Sequence, residues 1–239
     1  MSSTKRTLFI SDLHLDQSQP VITRLFLKLL TELKPPVDAL YILGDLFETW
    51  IGDDADIKQH SEIISALKTV TQKGIPVYLI HGNRDFLIGK QLLQASGCQL
   101  LADETKINLY GQSILIMHGD TLCTNDTTYI KARKIMRNRY LIALFLLLPT
   151  TIRQKIARNL RKKSMQHTAN ASYEIMDVTQ SEVLRIMQKH AVTTLIHGHT
   201  HRPNIHEFTQ GTRIVLGAWH ERGSVLVWHE SGEKELIEL

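Results

Sequence analysis

Short apolar segments alternate with segments of helical spacing along most of this chain. Helical spacing of apolar residues predicts helices at residues 20–33, 56–74 and 173–190. Buried strands are expected at residues 6–11, 37–45, 75–85, 113–120 and 193–201. The tail from Ile205 to Leu239 is typical of short strands separated by glycine turns. This alternation of strands and helices predicts a layered α/β fold.

Each of the five predicted strands ends in a polar cluster. The clusters are "SDLH", "GD", "HGNRD", "HGD" and "HGHTH". Ligands of open α/β sheets bind at the carboxyl ends of the strands, so we expect these clusters to meet at one site. The candidate residues at that site are Asp12, His14, Asp45, Asn83, His118, His199 and His201.

The last cluster places His197, His199 and His201 at alternate positions. If the strand ran through all of them, His197 and His201 would face one side and His199 the other. A single histidine is most often an ordinary structural residue, whereas neutral imidazole is also a common metal ligand. This stretch alone is compatible with either role.

The seven candidates together favour a pair of metal ions. They comprise two carboxylates, one amide oxygen and four imidazoles, without a thiolate. This donor set suits Mn²⁺, Fe²⁺ or Zn²⁺ better than Ca²⁺, and it is too large for a single ion. Two ions about 3.5–4 Å apart that share a carboxylate could use the whole set and hold a phosphoryl oxygen between them.

Composition indicates an ordinary globular protein. The chain has 239 residues, of which 43% are hydrophobic and 22% charged, which fits one large domain or one domain with an insertion. Cys98 and Cys123 cannot form a disulfide framework and indicate a reducing compartment. The first residues, "MSSTKRTLFISDLHL", lack the apolar region of a signal peptide. We therefore expect a cytoplasmic protein.

One segment differs from the rest in charge. Between Thr127 and Tyr173 there are eleven basic residues and no acidic ones, while the remainder carries 17 basic and 24 acidic residues. The apolar run "YLIALFLLLP" at residues 140–149 is much shorter than the ~20 residues of a membrane-spanning helix. A basic and apolar insert suits an anionic membrane surface or an anionic amphiphile. A nucleic-acid face and an ordinary buried helix are the alternatives.

Five short motifs carry a resemblance to a known family. "DLHL", "GDLFE", "GNRD", "HGD" and "GHTH" resemble, in order, the signatures of calcineurin-like metallophosphoesterases. Longer stretches, "YILGDLFETWIGDD", "IHGNRDFLIGK", "LIMHGDTLCTND", "IMDV" and "IHGHTHRP…VLGAWH", are similar to the family's UDP-2,3-diacylglucosamine pyrophosphohydrolases of lipid A biosynthesis. The resemblance implies a four-layer α-β-β-α sandwich, with residues 1–239 as a single domain and a helical lid inserted at residues 124–173.

The resemblance also implies an activity. It is Mn²⁺-dependent hydrolysis of the pyrophosphate bond of UDP-2,3-diacylglucosamine by water that attacks the α phosphorus. The products are UMP and 2,3-diacylglucosamine 1-phosphate (lipid X). Two Mn²⁺ ions per chain and a peripheral position on the cytoplasmic face of the inner membrane are expected. No nucleic acid and no obligate protein partner are expected.

Site residues carry over from the family position by position. One ion would take Asp12, His14, Asp45 and His201, and the second Asp45, Asn83, His118 and His199. The catalytic residues would be Asp45, Asn83, Arg84 and His118. Substrate contacts would fall on Asn83, Arg84, Asp126, Ser164, Thr168, Ala171 and His199. Apart from the resemblance, Asp85 and Asp120 are expected to orient the ligands, as carboxylates often do for metal-bound histidines. His197 would either share this role or be a structural hydrogen-bonding residue.

Two lid positions depart from the family pattern. Thr168 and Ala171 stand where the family carries an asparagine and a lysine. Thr168 can still form a hydrogen bond, whereas Ala171 cannot replace the charge of a lysine. Asn170 or a nearby basic residue of the lid could compensate.

Three other functions remain open on the sequence. A phosphodiesterase or nuclease on the same scaffold is disfavoured by the apolar insert, which nucleic acid would leave uncovered. A non-enzymatic protein-binding scaffold is disfavoured because every expected ligand position is filled. A membrane-surface binding module would leave the seven-residue cluster without a role.

Overall fold

Two β-sheets form the centre of the molecule. The structure, a computed structural model, describes residues 5–170 and 177–239, with the backbone alone at residues 167–170. The strands of this part of the chain are β1 (Arg6–Ile10), β2 (Val37–Ile42), β3 (Val77–Leu79), β4 (Gln99–Leu100), β5 (Glu104–Leu109), β6 (Gln112–Met117), β7 (Thr194–His197), β8 (Asn204–Phe208), β9 (Gly211–Val215), β10 (Ser224–His229) and β11 (Lys234–Glu238). The six-stranded sheet has the order β11-β10-β1-β2-β3-β4, and the five-stranded sheet the order β5-β6-β7-β9-β8.

Eight α-helices lie within the same described ranges. They are α1 (Pro20–Glu32), α2 (Asp53–Asp56), α3 (Ser61–Gln72), α4 (Lys90–Ser96), α5 (Thr127–Met136), α6 (Arg139–Leu146), α7 (Thr150–Asn170) and α8 (Gln180–His190). Most of the helix predicted at residues 56–74 is present as α3, but its predicted start is wrong, because a turn at residues 57–60 separates α2 from α3. The helix predicted from residue 173 begins at Gln180, and residues 171–176 lie outside the described residues.

Apolar side chains hold the layers together. Along β1, Leu8 and Ile10 face the helices, whereas Phe9 faces the other sheet, as the period of a strand requires. Phe9 joins Ile114 and Ile196 of the second sheet in the space between the two sheets. The outer layers are α1, α3 and α4 on the first sheet and α8 on the second. The predicted four-layer α-β-β-α fold is therefore confirmed.

Parallel pairing brings several strand ends to one edge of the molecule. β1, β2 and β3 run parallel, with Ile10 opposite Ile42 and Ile42 opposite Leu79. In the second sheet β6 runs parallel to β7, with Ile116 opposite Ile196. The loops that follow these five strands therefore emerge side by side.

Three consecutive helices, α5, α6 and α7, separate β6 from α8, and we call them the lid. They coincide with the basic and apolar segment of the sequence. In the parts of the chain that are described, no helix combines the length and apolar character needed to cross a bilayer. The limits of the lid at residues 124 and 173 stay a prediction, because the second lies outside the described residues.

Burial on α1 yields a prediction about stability. Phe26 is fully buried and packs edge-on against Trp219, with ring centroids 6.0 Å apart. Phe26→Ala should lower the free energy of unfolding by about 3–5 kcal/mol, because it removes an aromatic ring and leaves a cavity. Val21→Ala on the same helix, where Val21 is 49% exposed, should cost less than ~0.5 kcal/mol. Urea denaturation of both variants tests this, and equal losses would contradict it.

Candidate metal centre

The five loops at the strand ends bring the seven candidate ligands together. His201 Nε2 lies 3.3 Å from Asp12 Oδ1 and 3.3 Å from His14 Nε2. His118 Nε2 lies 3.0 Å from Asn83 Oδ1, and the rings of His118 and His199 have centroids 5.0 Å apart. Residues that are up to 189 positions apart in sequence thus share one small volume, as the positions of the strand ends require.

An unusual backbone conformation marks this site. Seven non-glycine residues of the described chain have positive φ, and five of them are candidate ligands: Asp12, His14, Asp45, His199 and His201. A positive φ costs a non-glycine residue about 1–2 kcal/mol of conformational free energy, and it persists only where the surrounding structure enforces it. His199 and His201 lie beyond the end of β7, so the strand alternation predicted for them is wrong.

Two glycines allow the loops to approach one another. A Cβ atom on Gly82 would lie 2.1 Å from Asp45 Oδ1 and 2.2 Å from the backbone nitrogen of Asp45. A Cβ atom on Gly198 would lie 2.2 Å from Ser11 Oγ and 2.3 Å from Asp12 Oδ2. Any larger residue at either position would displace a candidate ligand.

The two aspartates occupy central positions in the cluster. The site has two halves, one with His14 and His201 and the other with Asn83, His118 and His199. Asp45 Oδ2 lies between them, 3.9 Å from His14 Nε2 and 3.8 Å from His118 Nε2. Asp12, His14 and His201 form one geometric group that could hold an ion, and Asp12, Asp45 and His118 form another. Both carboxylates therefore lie within reach of each half.

The second oxygen of each aspartate is held by the protein. Asp12 Oδ2 accepts hydrogen bonds from Ser11 Oγ at 2.6 Å and from the backbone nitrogen of His199 at 2.8 Å. Asp45 Oδ1 accepts from the backbone nitrogen of Arg84 at 2.9 Å. Asp12 Oδ1 is buried and has no hydrogen-bond partner among the described residues. A buried carboxylate oxygen without a partner is costly, and a bound cation would satisfy it.

Burial sets the charges of the cluster. It raises the pKa of Asp45 to about 7, and the neighbouring Asp85 and Asp12 add to this rise. Burial also lowers the pKa of His14 to about 2 and that of His199 to about 4. For Asp12, burial is outweighed by the neighbouring His201, His118 and His14, which hold its pKa below the usual range. Neutral imidazoles beside carboxylates are the forms that bind metal ions.

The orientation of His118 also suits a ligand. Its Nδ1 donates to the carbonyl oxygen of Leu43 at 2.8 Å, which leaves Nε2 directed at Asn83 and Asp45. Metal-bound histidines commonly donate their other ring N–H in this way. Together with the buried oxygen of Asp12, these donors fit a site for divalent cations.

Two of the residues expected to orient the ligands, Asp85 and His197, form hydrogen bonds with backbone atoms of the loops. Asp85 accepts from the backbone nitrogens of Gly82 at 2.8 Å and Leu46 at 2.7 Å, and so joins two of the loops. His197 is buried, and its Nδ1 donates to the carbonyl oxygen of Gly198 at 2.8 Å. Burial lowers the pKa of His197 to about 3.

Asp120 connects the metal centre to the lid. Its Oδ2 accepts from Tyr129 Oη and from Arg133 Nε, each at 2.5 Å, and both donors belong to α5. Burial opposes ionisation of Asp120, but the nearby charges of His118 and Arg133 hold its pKa below the usual range. Asp120 therefore acts on the histidines through its charge while it anchors the lid.

A cavity of about 610 Å³ opens beside the cluster. Asn83, Arg84 and Tyr129 line its polar end, and apolar side chains of the lid, among them Ile142 and Phe145, line the rest. Of the predicted substrate contacts, Ser164 lines this cavity, and Asp126 accepts from the backbone nitrogen of Tyr129 at the start of α5. His199 lies in the metal cluster, 6.1 Å from Tyr129 between ring centroids. The side chain of Thr168 and the whole of Ala171 lie outside the described residues.

Sequence reasoning missed Glu48 and Arg161. Glu48 Oε2 pairs with Arg84 Nη1 and lies 3.4 Å from His14 Nδ1, and Glu48 Oε1 lies 2.7 Å from Arg161 Nε of the lid. Glu48 is the last residue of the quoted motif "GDLFE", so the signal was present in the sequence. Arg161, the partner of Glu48 in the lid, could not be identified without the tertiary structure.

Comparison with known proteins identifies the class. The chain belongs to the calcineurin-like phosphoesterase family, whose profile matches residues 5–203. Among similar proteins are the UDP-2,3-diacylglucosamine hydrolases of Pectobacterium carotovorum subsp. carotovorum (strain PC1) and Enterobacter sp. (strain 638). They are 51% and 50% identical to this chain over 224 residues, which are 92% of this chain and 93% of each relative.

Among solved structures, that of an archaeal phosphodiesterase matches with a TM-score of 0.50. The match covers 98% of this chain and 99% of that chain at 13% identity, so it supports the fold alone. The family and the fold together confirm the predicted metallophosphoesterase, and the chain is a hydrolase of this family.

The donor set yields a prediction about metal binding. Mn²⁺ at about 100 times its dissociation constant should stabilise the protein by ~2.7 kcal/mol, which raises Tm by about 5–10 °C. Asp45→Asn should lose most of this rise, because one central anionic ligand becomes neutral. Asp38→Asn is the matched control, since Asp38 lies on β2 and pairs with Tyr110. Differential scanning fluorimetry checks both variants, and an undiminished rise in Asp45→Asn would exclude the site.

Proposed function

We propose that this chain hydrolyses the pyrophosphate bond of UDP-2,3-diacylglucosamine with Mn²⁺ as its metal. One observation carries the proposal: a cluster of carboxylates and imidazoles opens into a cavity that the lid lines with apolar side chains. A substrate with a charged anhydride next to acyl chains matches this juxtaposition. The relatives named UDP-2,3-diacylglucosamine hydrolases support the same substrate.

Two divalent ions would be held by the seven candidate ligands. Asp12, His14, Asp45 and His201 would bind one, and Asp45, Asn83, His118 and His199 the other. The position of Asp45 Oδ2 between His14 and His118 supports its role as the shared ligand. When bound, the ions would supply Lewis acidity toward a phosphoryl oxygen and make water a better nucleophile.

In the proposed reaction, water attacks the α phosphorus and the anhydride bond breaks. UMP and 2,3-diacylglucosamine 1-phosphate are released. Arg84 is positioned to neutralise charge on the pyrophosphate, because its Nε lies 3.6 Å from Asp45 Oδ2 and its guanidinium lines the cavity. A forked guanidinium matches two phosphate oxygens at once. Glu48 pairs with Arg84 and Arg161 and so holds both side chains near this position.

The apolar part of the cavity would take the acyl chains. Its volume of about 610 Å³ falls within the ~300–1,000 Å³ typical of ligand sites. Ile142 and Phe145 of α6 line this space, together with Leu160 of α7. The same apolar walls disfavour a nuclease, because nucleic acid would leave them unfilled.

The proposed reaction is tested by product analysis. Purified protein with UDP-2,3-diacylglucosamine and Mn²⁺ should release UMP, and chelation should stop the release. Asp45→Ala should abolish it, and Arg84→Gln should slow it by about 10²-fold, since one charge-stabilising donor is lost. Arg24→Gln, an exposed change on α1, should leave the rate unchanged. Hydrolysis of simple phosphodiesters without UMP release would keep the class of enzyme and reject this substrate.

We also propose that the lid holds the protein at an anionic membrane surface, on the cytoplasmic face of the inner membrane. Leu144 and Leu147 of the lid are 61% and 83% exposed. Lys131, Lys134 and Lys155 of the same lid are also exposed. Apolar area next to basic charge is the combination that binds anionic lipid surfaces.

Charge reversal tests this membrane contact. Changing Lys131, Lys134 and Lys155 to glutamate should abolish co-sedimentation with vesicles that contain phosphatidylglycerol, most clearly at low salt, where screening is weakest. The same reversal at Lys58, Lys68 and Lys73, which are exposed on the body, should have little effect. Unchanged sedimentation of the lid variant would contradict the proposal.

A further inference from the structure

A second cavity lies on the opposite side of α7 from the apolar one. Its volume is about 730 Å³. Within the described chain its lining is mostly charged or amide-bearing, with Ile51, Ala157 and Met165 as its apolar residues.

Helix α7 forms the partition between the two cavities. Leu160 and Ser164 line the first cavity, whereas Arg158 and Lys162 line the second. The spacing of four residues in each pair places its members on one side of a helix. Arg161 lines both cavities, and so does its partner Glu48.

The point where the cavities meet is next to the metal centre. Glu48 Oε2 lies 3.4 Å from His14 Nδ1 and pairs with Arg84, which contacts Asp45. A molecule whose central anhydride lies at this junction would therefore extend one arm into each cavity.

The two walls of the second cavity differ in charge. Arg158 and Lys162 are exposed on the α7 wall and form no ion pair among the described residues. Two like charges four residues apart repel each other, and a bound anion would relieve this repulsion. The opposite wall carries Asp16, Asp56 and Gln59, which supply hydrogen-bond acceptors and an amide.

We propose that this second cavity binds the nucleoside monophosphate arm of the substrate, while the acyl arm occupies the first. The inference rests on the proposed function for the identity of the two arms. Arg158 and Lys162 would attract the phosphate side of the nucleotide. The carboxylates and the Gln59 amide suit ribose hydroxyls and the imide edge of uracil, which offers one donor and two acceptors.

The test uses UMP itself on the full-length protein with Mn²⁺. Isothermal titration calorimetry should show that Arg158→Gln combined with Lys162→Gln weakens UMP binding by at least about tenfold, because two cationic donors are lost. Lys68→Gln combined with Lys73→Gln removes the same number of charges from the body, outside both cavities, and should leave UMP binding unchanged. Phe145→Ala, in the first cavity, should weaken the binding of 2,3-diacylglucosamine 1-phosphate and leave UMP binding unchanged.

A mapping experiment locates the nucleotide directly. Photo-crosslinking with 4-thio-UMP, followed by peptide mass spectrometry, should label residues 56–60 or 158–166. Labels confined to other segments, or equal UMP affinity in the double variant and the wild type, would overturn the inference.

These binding readouts are independent of turnover. Failure to hydrolyse UDP-2,3-diacylglucosamine, with UMP binding still weakened by the double variant, would reject the proposed function and keep the nucleotide cavity. Hydrolysis of that substrate, together with unchanged UMP binding in the double variant, would support the proposed function and reject the nucleotide cavity.

Discussion

The crowding of buried carboxylates and imidazoles at the strand ends is the constraint on which the rest of this structure depends. Asp12 and Asp45 are fully buried beside each other. Five of the seven candidate ligands have positive φ, which is unfavourable for residues other than glycine. Such an arrangement persists only where surrounding structure enforces it. The two packed sheets, with Phe9 and Ile196 between them, supply that enforcement.

The lid depends on the same loops as the metal centre. Arg133 of α5 pairs with Asp120, and Arg153 of α7 donates to the carbonyl oxygen of Ile51 and pairs with Asp54. Arg161 joins Glu48, which is a neighbour of His14. Each contact connects a lid arginine to a loop that also positions candidate ligands or cavity walls. The lid therefore connects the candidate metal centre to both cavities.

Much of this architecture could be predicted because strand ends and ligand chemistry are local properties of sequence. The predicted strand at residues 37–45 and its terminal Asp45 illustrate this. The turn between α2 and α3 was missed because residues 57–60, "IKQH", contain no glycine or proline that would mark a break in a helix. The pairing of Glu48 with Arg161 joins residues 113 positions apart, so it follows from tertiary packing alone.

We propose that one cluster holds two ions that share Asp45. A crystal structure with Mn²⁺, using anomalous scattering at the manganese edge, measures this directly. We expect two anomalous peaks about 3.5–4 Å apart, with Asp45 bound to both. His14 and His201 should bind one ion, and His118 and His199 the other. A single peak, or two peaks with Asp45 bound to neither, would contradict it.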